Sequence, residues 1–382
     1  MIDDDWKFWI ALISVDGVGS VGFKNLVDAF GNPRNVFNSS HQSLTVIPGI
    51  GRKTAANVKH FNGWQKAEEE LKLLKSYDAR LITYQDSLYP RGLLNIYDFP
   101  PFLYVKGNLK EDDVNIAVVG SRTASTYGKF STERLCRELA INGITVVSGM
   151  ARGIDSAAHK GALAGKGRTI AVLGCGLDTV YPPENKELYE EIVSKGAVIT
   201  EYPFGTPPSG SNFPSRNRII SGISLGVVVV EANEKSGSLI TAKLALEQGR
   251  EVFAVPGSID SAGSRGTHKL IKQGAILIEN VHDILDEILP QVEIRPKDHP
   301  PEEKILMQDN GEEKRSESRT VAGRLTDTEK SILQSVSSKA LDIDSIITST
   351  ALKPNEVLNI LLTLELRGII KQLPGKKFMV KE

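Results

Sequence analysis

The residues of this chain that could do chemistry are arginines, serines and glycines at the ends of apolar runs. Gly120-Ser121-Arg122 follows one β-branched run and Ser148-Gly149-Met150-Ala151-Arg152-Gly153 follows a second. Arg216-Asn217-Arg218 precedes another run, and Ser236-Gly237-Ser238 follows it, with Lys243 a few residues on. Gly257-Ser258 and Gly266-Thr267-His268 come after the last. Glycine lets a backbone approach an anion, and the free N–H groups at a helix start offer it partial positive charge. Hydroxyls add hydrogen bonds, and arginine forms bidentate pairs with phosphate. Any one of these loops is also an ordinary strand-ending turn. With Arg122, Arg152, Arg216 and Arg218 expected to converge on one edge, they predict a phosphate-rich ligand. The nature of that ligand stays open at this point. The dinucleotide fingerprint is missing after Val119, and 161–167 departs from a P-loop in spacing and lacks Ser or Thr after Lys166. Gly222-Ile223-Ser224-Leu225-Gly226 lies between a helix and a strand, whereas a nucleophile elbow needs strand, turn, then helix. The 6 histidines show no metal-ligand spacing. This favours binding over catalysis, with no cofactor or metal expected.

Six short apolar runs, 114–119, 144–147, 169–173, 197–200, 227–230 and 252–255, alternate with amphipathic stretches. Continuous Val/Ile strands with helices between them predict a doubly wound, Rossmann-like, mostly parallel α/β sheet. Ligands of such sheets bind beyond the carboxyl ends of the strands, where the loops above fall. Extended pieces in 80–106 are expected to add an edge. Composition divides the 382 residues into a helical segment (1–77), the α/β domain (78–289), a charged, Pro-rich linker (290–325) and a helical C-terminal domain (326–382). Lys+Arg 46 against Asp+Glu 47 gives a net charge of -1, which argues against a purely electrostatic nucleic-acid binder but not against a local basic cluster. Cys136 and Cys175 alone make no disulfide framework. The acidic start Met1-Ile2-Asp3-Asp4-Asp5 is unlike a signal peptide, and no apolar run reaches the ~20 residues of a membrane span, so a cytoplasmic protein without membrane contact is expected.

Val119-Gly120-Ser121-Arg122, Ser148 to Asp155, Phe213-Pro214-Ser215-Arg216-Asn217-Arg218, Ser236 to Ala242 and Val255-Pro256-Gly257-Ser258, in this order, resemble the DprA family of DNA-processing, Smf-type proteins. The resemblance implies single-stranded DNA binding, loading of RecA on that DNA during natural transformation, and a homodimer through the Rossmann-like domain. It also implies that Arg122 belongs to the DNA pocket. The other DNA-contact candidates, placed by type and position, are Gly120, Ser121, Ser148, Gly149, Arg152, Arg216, Asn217, Arg218, Ser236, Gly237, Ser238, Lys243, Gly257, Ser258, Gly266 and His268. His268 stands where the family usually has Asn. Few aromatics, 6% of the chain, lead us to expect backbone contacts to dominate.

The resemblance also implies an N-terminal SAM or helix-hairpin-helix domain and a C-terminal winged helix. Asp16-Gly17-Val18-Gly19 and Pro48-Gly49-Ile50-Gly51 have the hairpin look, and Gly49, Gly51, Arg52 and Lys53 are candidates for secondary phosphate contacts. A packing module in which these glycines only make turns is the equal alternative. Trp6, Trp9, Phe23 and Phe30 are spaced as core residues. At the C-terminus, helices over 326–336, 341–350 and 354–367 and a hairpin give the winged-helix order, with Lys376 and Lys377 on the wing. The third helix is apolar and carries Glu356 and Glu365, which favours a protein contact over base reading. The rival to DNA binding is a nucleotide-binding or nucleoside-monophosphate-hydrolysing enzyme of related fold. Glycosidic cleavage needs a carboxylate beside the sugar. The stretch from Ser236 to Lys243 offers none, although Glu231 and Asp155 share the rim.

Overall fold

The strands form where Val, Ile and Ala run without polar interruption, because both faces of each are covered by helices. The structure, a computed structural model, describes residues 5–293 and, beyond them, 332–333, 341–342, 346, 350, 357, 360–361, 364, 370–373 and 377–380. Residues 5–293 make one compact unit and the described residues from 332 onward belong to a second.

The sheet of the first unit has nine strands in the order β1-β2-β6-β5-β4-β3-β7-β8-β9. These are β1 (Ala79–Thr83), β2 (Phe102–Gly107), β3 (Asn115–Val119), β4 (Thr145–Ser148), β5 (Thr169–Val172), β6 (Ala197–Thr200), β7 (Gly226–Val229), β8 (Glu251–Ala254) and β9 (Ile276–Leu277). The seven from β3 on are parallel, and the antiparallel pair β1–β2 extends the β6 edge. The chain steps outward from β3 through β4 and β5 to β6, then returns to lay β7 on the other side of β3. The topological switch therefore lies between β3 and β7, and a crevice opens beyond their carboxyl ends. On one face α7 (Thr126–Ile141), α8 (Ile154–Ala164) and α13 (His282–Glu293) bury Leu135, Leu139, Ala158 and Ile284 against Val118, Val146 and Val228. On the other, α10 (Asn212–Gly222), α11 (Ser238–Glu247) and α12 (Arg265–Lys272) bury Ile219, Ile220, Ala242 and Leu270 against Val119, Val147 and Val229. The remaining crossover helix, α9 (Lys186–Lys195), leads into β6. α13 continues to Glu293, past the expected start of the linker, and 294–325 lie outside the described residues.

Six helices precede the sheet: α1 (Trp6–Ile13), α2 (Ser20–Phe30), α3 (Pro33–Asn38), α4 (His41–Thr45), α5 (Arg52–Lys59) and α6 (Trp64–Ser76). Two glycine turns, with Gly17 at φ 87 and Gly49 at φ 82, precede α2 and α5. They are tied reciprocally. Asn25 of α2 donates to the Pro48 carbonyl at 3.0 Å, and Asn57 of α5 donates to the Asp16 carbonyl at 3.0 Å. Each hairpin is thus held by the helix that follows the other, which makes the two copies a matched pair. Trp9 and Phe23 are buried, and Trp6 and Phe30 pack against them, as their spacing predicts. That core runs without a break into Phe102, Tyr104 and Tyr189, so the helical segment is seated on the sheet edge. Glu70 of α6 accepts the Phe204 amide at 2.7 Å across the junction. Burial lifts its carboxyl above the usual range, against that bond and one from Tyr104.

In the second unit β10 (Leu341–Asp342), β11 (Ile370–Leu373) and β12 (Lys377–Val380) form an antiparallel sheet in the order β10-β12-β11. The hairpin is where the sequence predicts it. Leu341 and Asp342, expected to begin a helix, instead pair with Phe378 and Lys377 and cover the free edge of β12. Ile332, Ile346, Val357, Leu361, Leu364, Ile370 and Phe378 share one core. Most of the three expected helices, 326–336, 341–350 and 354–367, lies outside the described residues.

Candidate nucleic-acid interface

The loop after β3 is fixed before any ligand arrives. Ser121 donates its amide to the Glu231 carbonyl at 2.7 Å, and its own carbonyl accepts from Ile154 at the start of α8 at 3.1 Å. A Cβ on Gly120 would lie about 2.6 Å from Ile154, so only glycine permits this approach. The Arg122 side chain leaves the clamped loop exposed and, among the described residues, without a carboxylate partner. Its guanidinium lies 5.0 Å from the centroid of the Phe213 ring, at the start of α10. Tyr181 stacks with that ring, 5.7 Å between centroids at 29°.

Two adjoining hollows share Arg122, Ala151 and Phe213. The larger, about 450 Å³, lies over the β3–β7 switch. It is lined by Gly120, Ser121, Arg122 and Asn217 and by the Ser236-Gly237-Ser238 turn that opens α11. The smaller, about 30 Å³, is a slot between Arg122, Gly149, Arg152, Tyr181 and Phe213. The crevice so combines one free guanidinium, a helix N-terminus with its partial positive charge, and two aromatic rings.

Three of the four arginines, Arg122, Arg152 and Arg216, line the two hollows and Arg218 does not, but they differ in what holds them. Arg216 is 3% exposed, and its guanidinium donates to the Gly149 carbonyl at 2.8 Å and to the Val172 carbonyl. A Cβ on Gly149 would fall about 2.5 Å from it, so this glycine makes room for a buried cation. Burial lowers the Arg216 pKa, opposed by Asp155, and burial raises Asp155, opposed first by Arg216. Asp155 also accepts the Gly149 amide at 3.2 Å and the Ala151 amide at 3.3 Å, so the pair braces the loop after β4. Arg218 is inside as well, bonded to Glu201 at 2.7 Å and Asp98 at 2.9 Å. Burial would lower its pKa, but the two carboxylates outweigh that and hold it high. Arg152 is at the rim, where its Nε and Nη2 donate to the two carboxylate oxygens of Glu184. These are corrections: Arg216 and Arg218 serve the fold, and Arg152 is paired.

Other expected residues also prove structural. Ser148 is buried and donates its hydroxyl to the Val118 carbonyl at 2.7 Å. Gly266 packs on the Ala232 carbonyl, and His268 Nε2 lies 3.1 Å from the Gly257 carbonyl, tying together the two segments that follow β8. None of Ser148, Arg218, Lys243, Gly257, Ser258, Gly266 and His268 lines either hollow. Lys243 is exposed beside Glu247, and Ser258 is exposed. Arg52 and Lys53 are exposed on the first turn of α5, next to Gly49 and Gly51, away from both hollows. Lys377 begins β12, and Lys376 lies outside the described residues. Sequence reasoning missed Tyr181 and Phe213. Phe213 opens the motif that contains Arg216, but nothing local marks Tyr181.

Among the described residues, no carboxylate at this crevice is free for glycosidic chemistry. Glu231 accepts the Ser125 amide and hydroxyl, both at 3.0 Å, where α7 begins. Asp155 is committed to backbone amides.

Residues 80–289 match the family model for DNA recombination-mediator protein A, 316–376 the DprA winged helix domain, and 10–60 a SAM-like helix-hairpin-helix tandem. The Smf protein of Synechocystis sp. is 35% identical, covering 99% of this chain and 99% of its own. The crystal structure of DNA processing protein A from Streptococcus pneumoniae is similar at TM-score 0.66 and 36% identity, over 75% of this chain and 99% of that one. The Helicobacter pylori protein, whose structure is described as revealing a single-stranded DNA binding mode, is similar at TM-score 0.50 and 32% identity, over 55% of this chain and 96% of that one.

Proposed function

The chain belongs to the DNA recombination-mediator protein A family, and from that premise we propose that it is a non-enzymatic single-stranded DNA-binding protein. The strand lies along the β3–β7 crevice, and the protein hands it to a RecA-type recombinase, acting as a homodimer through the α/β unit. The observation that carries this reading is Arg122. It is an exposed guanidinium without a carboxylate partner among the described residues, packed on an aromatic face and lining the same hollow as the α11 N-terminus.

Phosphate is drawn by the Arg122 fork and by backbone N–H groups, neither of which requires duplex geometry. Phe213 and Tyr181 offer stacking faces that splayed bases reach and paired bases do not. Similarity to the Helicobacter pylori protein supports the same ligand. The rival hydrolase reading lacks its chemical group, since Glu231 and Asp155 are both held by amides. The test is fluorescence anisotropy with single- and double-stranded oligonucleotides of equal length across a salt series. Preference for the single strand, with affinity falling linearly on a log–log salt plot, is expected. Equal affinity for the two forms, or release of free base from a nucleoside monophosphate, would overturn it.

A further inference from the structure

We propose that the outward face of α7 extends the single-strand track beyond the crevice, with Tyr127 and Phe130 stacking on bases and Arg137 meeting phosphate. The inference rests on the crevice binding single-stranded DNA.

Helical spacing divides α7 into two faces. Gly128, Thr132, Leu135, Cys136 and Leu139 are buried against the sheet and α8. Opposite them, Tyr127, Phe130, Arg134, Arg137 and Ile141 fall at intervals of three and four and are all exposed. Tyr127 is 62% and Phe130 67% exposed, values unusual for aromatic rings on a helix that has a core face of its own. Neither ring stacks on another aromatic among the described residues. Arg134 and Arg137 set two cations on this face and Lys129 a third at its border, with Glu133 and Glu138 beside them, and Arg134 reaches the Glu279 carbonyl at 3.4 Å. A solvent face with no partner would carry few large rings, while a face built for a protein partner is depleted in lysine. Aromatic rings interleaved with Lys and Arg are what a polyanion with exposed bases requires.

Position supports the same occupant. α7 begins at the carboxyl end of β3, directly after the Arg122 loop, and Ser125 fixes its first turn by accepting the Gly128 amide at 3.0 Å. Tyr127 is five positions after Arg122, so their Cα atoms are at most about 18 Å apart. Tyr127 and Phe130 are in the turns nearest the crevice. A strand leaving Arg122 reaches these rings without crossing any other element between the two in sequence.

The experiment compares the full-length chain with Tyr127→Ala/Phe130→Ala, Tyr127→Phe, Arg137→Glu and Arg122→Glu. Binding is read by anisotropy on an oligothymidylate ladder from about 5 to about 20 nucleotides, which brackets the usual site sizes. Oligomeric mass is measured in parallel. The double alanine variant is expected to bind the longer oligonucleotides at least about fivefold more weakly, and the shortest nearly as well as the parent. Tyr127→Phe should retain binding because the ring remains, and Arg137→Glu should flatten the salt dependence on long oligonucleotides only. Photocrosslinking of an iodouracil-substituted oligonucleotide should place an adduct on Tyr127 or Phe130. Parent affinity in the double variant at every length, with binding lost in Arg122→Glu, overturns the extension and leaves the crevice reading standing. Parent affinity in Arg122→Glu overturns the crevice reading and this inference with it. A change of oligomeric mass with unchanged DNA affinity assigns the face to a second copy of the chain and overturns the proposal.

Discussion

Replacing Arg122 by Ala removes an exposed rim guanidinium that packs on the Phe213 ring. It makes no ion pair among the described residues, and its loop is held by backbone bonds of Ser121, which the substitution leaves alone. Surface changes of this kind alter stability by about 0.5 kcal/mol or less, so the unfolding midpoint should hardly move. Binding should move much more. A hydrogen bond to a charged group contributes about 1.5–3 kcal/mol, and each 1.4 kcal/mol is about tenfold, so affinity for single strands should fall about 10- to 150-fold. Loss of one phosphate contact should also make the log–log salt slope shallower by about 0.7. Arg122→Lys keeps the charge but not the fork, and should retain the slope while losing part of the affinity. Anisotropy titrations at four salt concentrations, with denaturant melts as the control, measure all of this. Parent affinity and parent slope in a folded Arg122→Ala protein would refute the placement of the strand.

Three further outcomes follow from the same geometry. Arg218→Ala should destabilise the fold by about 3–5 kcal/mol, read from urea midpoints, because it strands the Glu201 carboxylate, whose side chain is 17% exposed; the folded fraction should bind DNA as before. Glu184→Gln should release Arg152, and tighter single-strand binding with a salt slope steeper by about 0.7 is expected in the same titration. Burial lowers the His159 pKa from 6.5 to about 3, so between those values the unfolded chain takes up a proton that the folded chain refuses. The stability contribution of His159 is therefore present near neutrality and lost as pH falls through that window, and its imidazole resonances should keep their neutral positions down to about pH 4.

The architecture was legible because it is written in local runs. The stretches 114–119, 144–147, 169–173, 197–200, 227–230 and 252–255 each became a strand, since a run of Val and Ile long enough for one strand has no other stable use between two helices. The exception in the described part of the C-terminal unit, Leu341–Asp342, is a two-residue strand whose reason for existing is the edge of β12, which sequence periodicity does not record. The site was only partly legible, for a similar reason. Arg122 and Arg218 look alike in sequence, yet what separates them is Asp98, 120 residues from Arg218, and Glu201, which reach one and not the other. Arg216 was drawn to the rim by its neighbours in the motif, but its chemistry lies in the carbonyls of Gly149 and Val172. Tyr181 comes beside Phe213 only because the loop after β5 and the start of α10 meet in space.

That redistribution of arginines changes what holds the strand. Within the crevice, four free guanidiniums, each meeting a phosphate, would give a salt slope of about −2.8 on single strands, and Arg122 alone there gives about −0.7. With a net charge of -1 there is no wider field to make up the difference. Stacking on Phe213 and Tyr181 must then supply much of the affinity, contrary to the expectation that backbone contacts dominate. Base–aromatic stacking contributes about 1–3 kcal/mol per base and is insensitive to salt. A competitor with the same phosphates but no bases separates the two contributions. An abasic oligonucleotide should displace bound oligothymidylate at least about fivefold less effectively than oligothymidylate of equal length, and the gap should persist as salt is raised. Phe213→Ala should close most of that gap, because it removes the ring that both Arg122 and Tyr181 pack against. Equal competition by the abasic strand against the parent protein would mean that phosphate alone is recognised, and that the aromatic slot has no part in holding DNA.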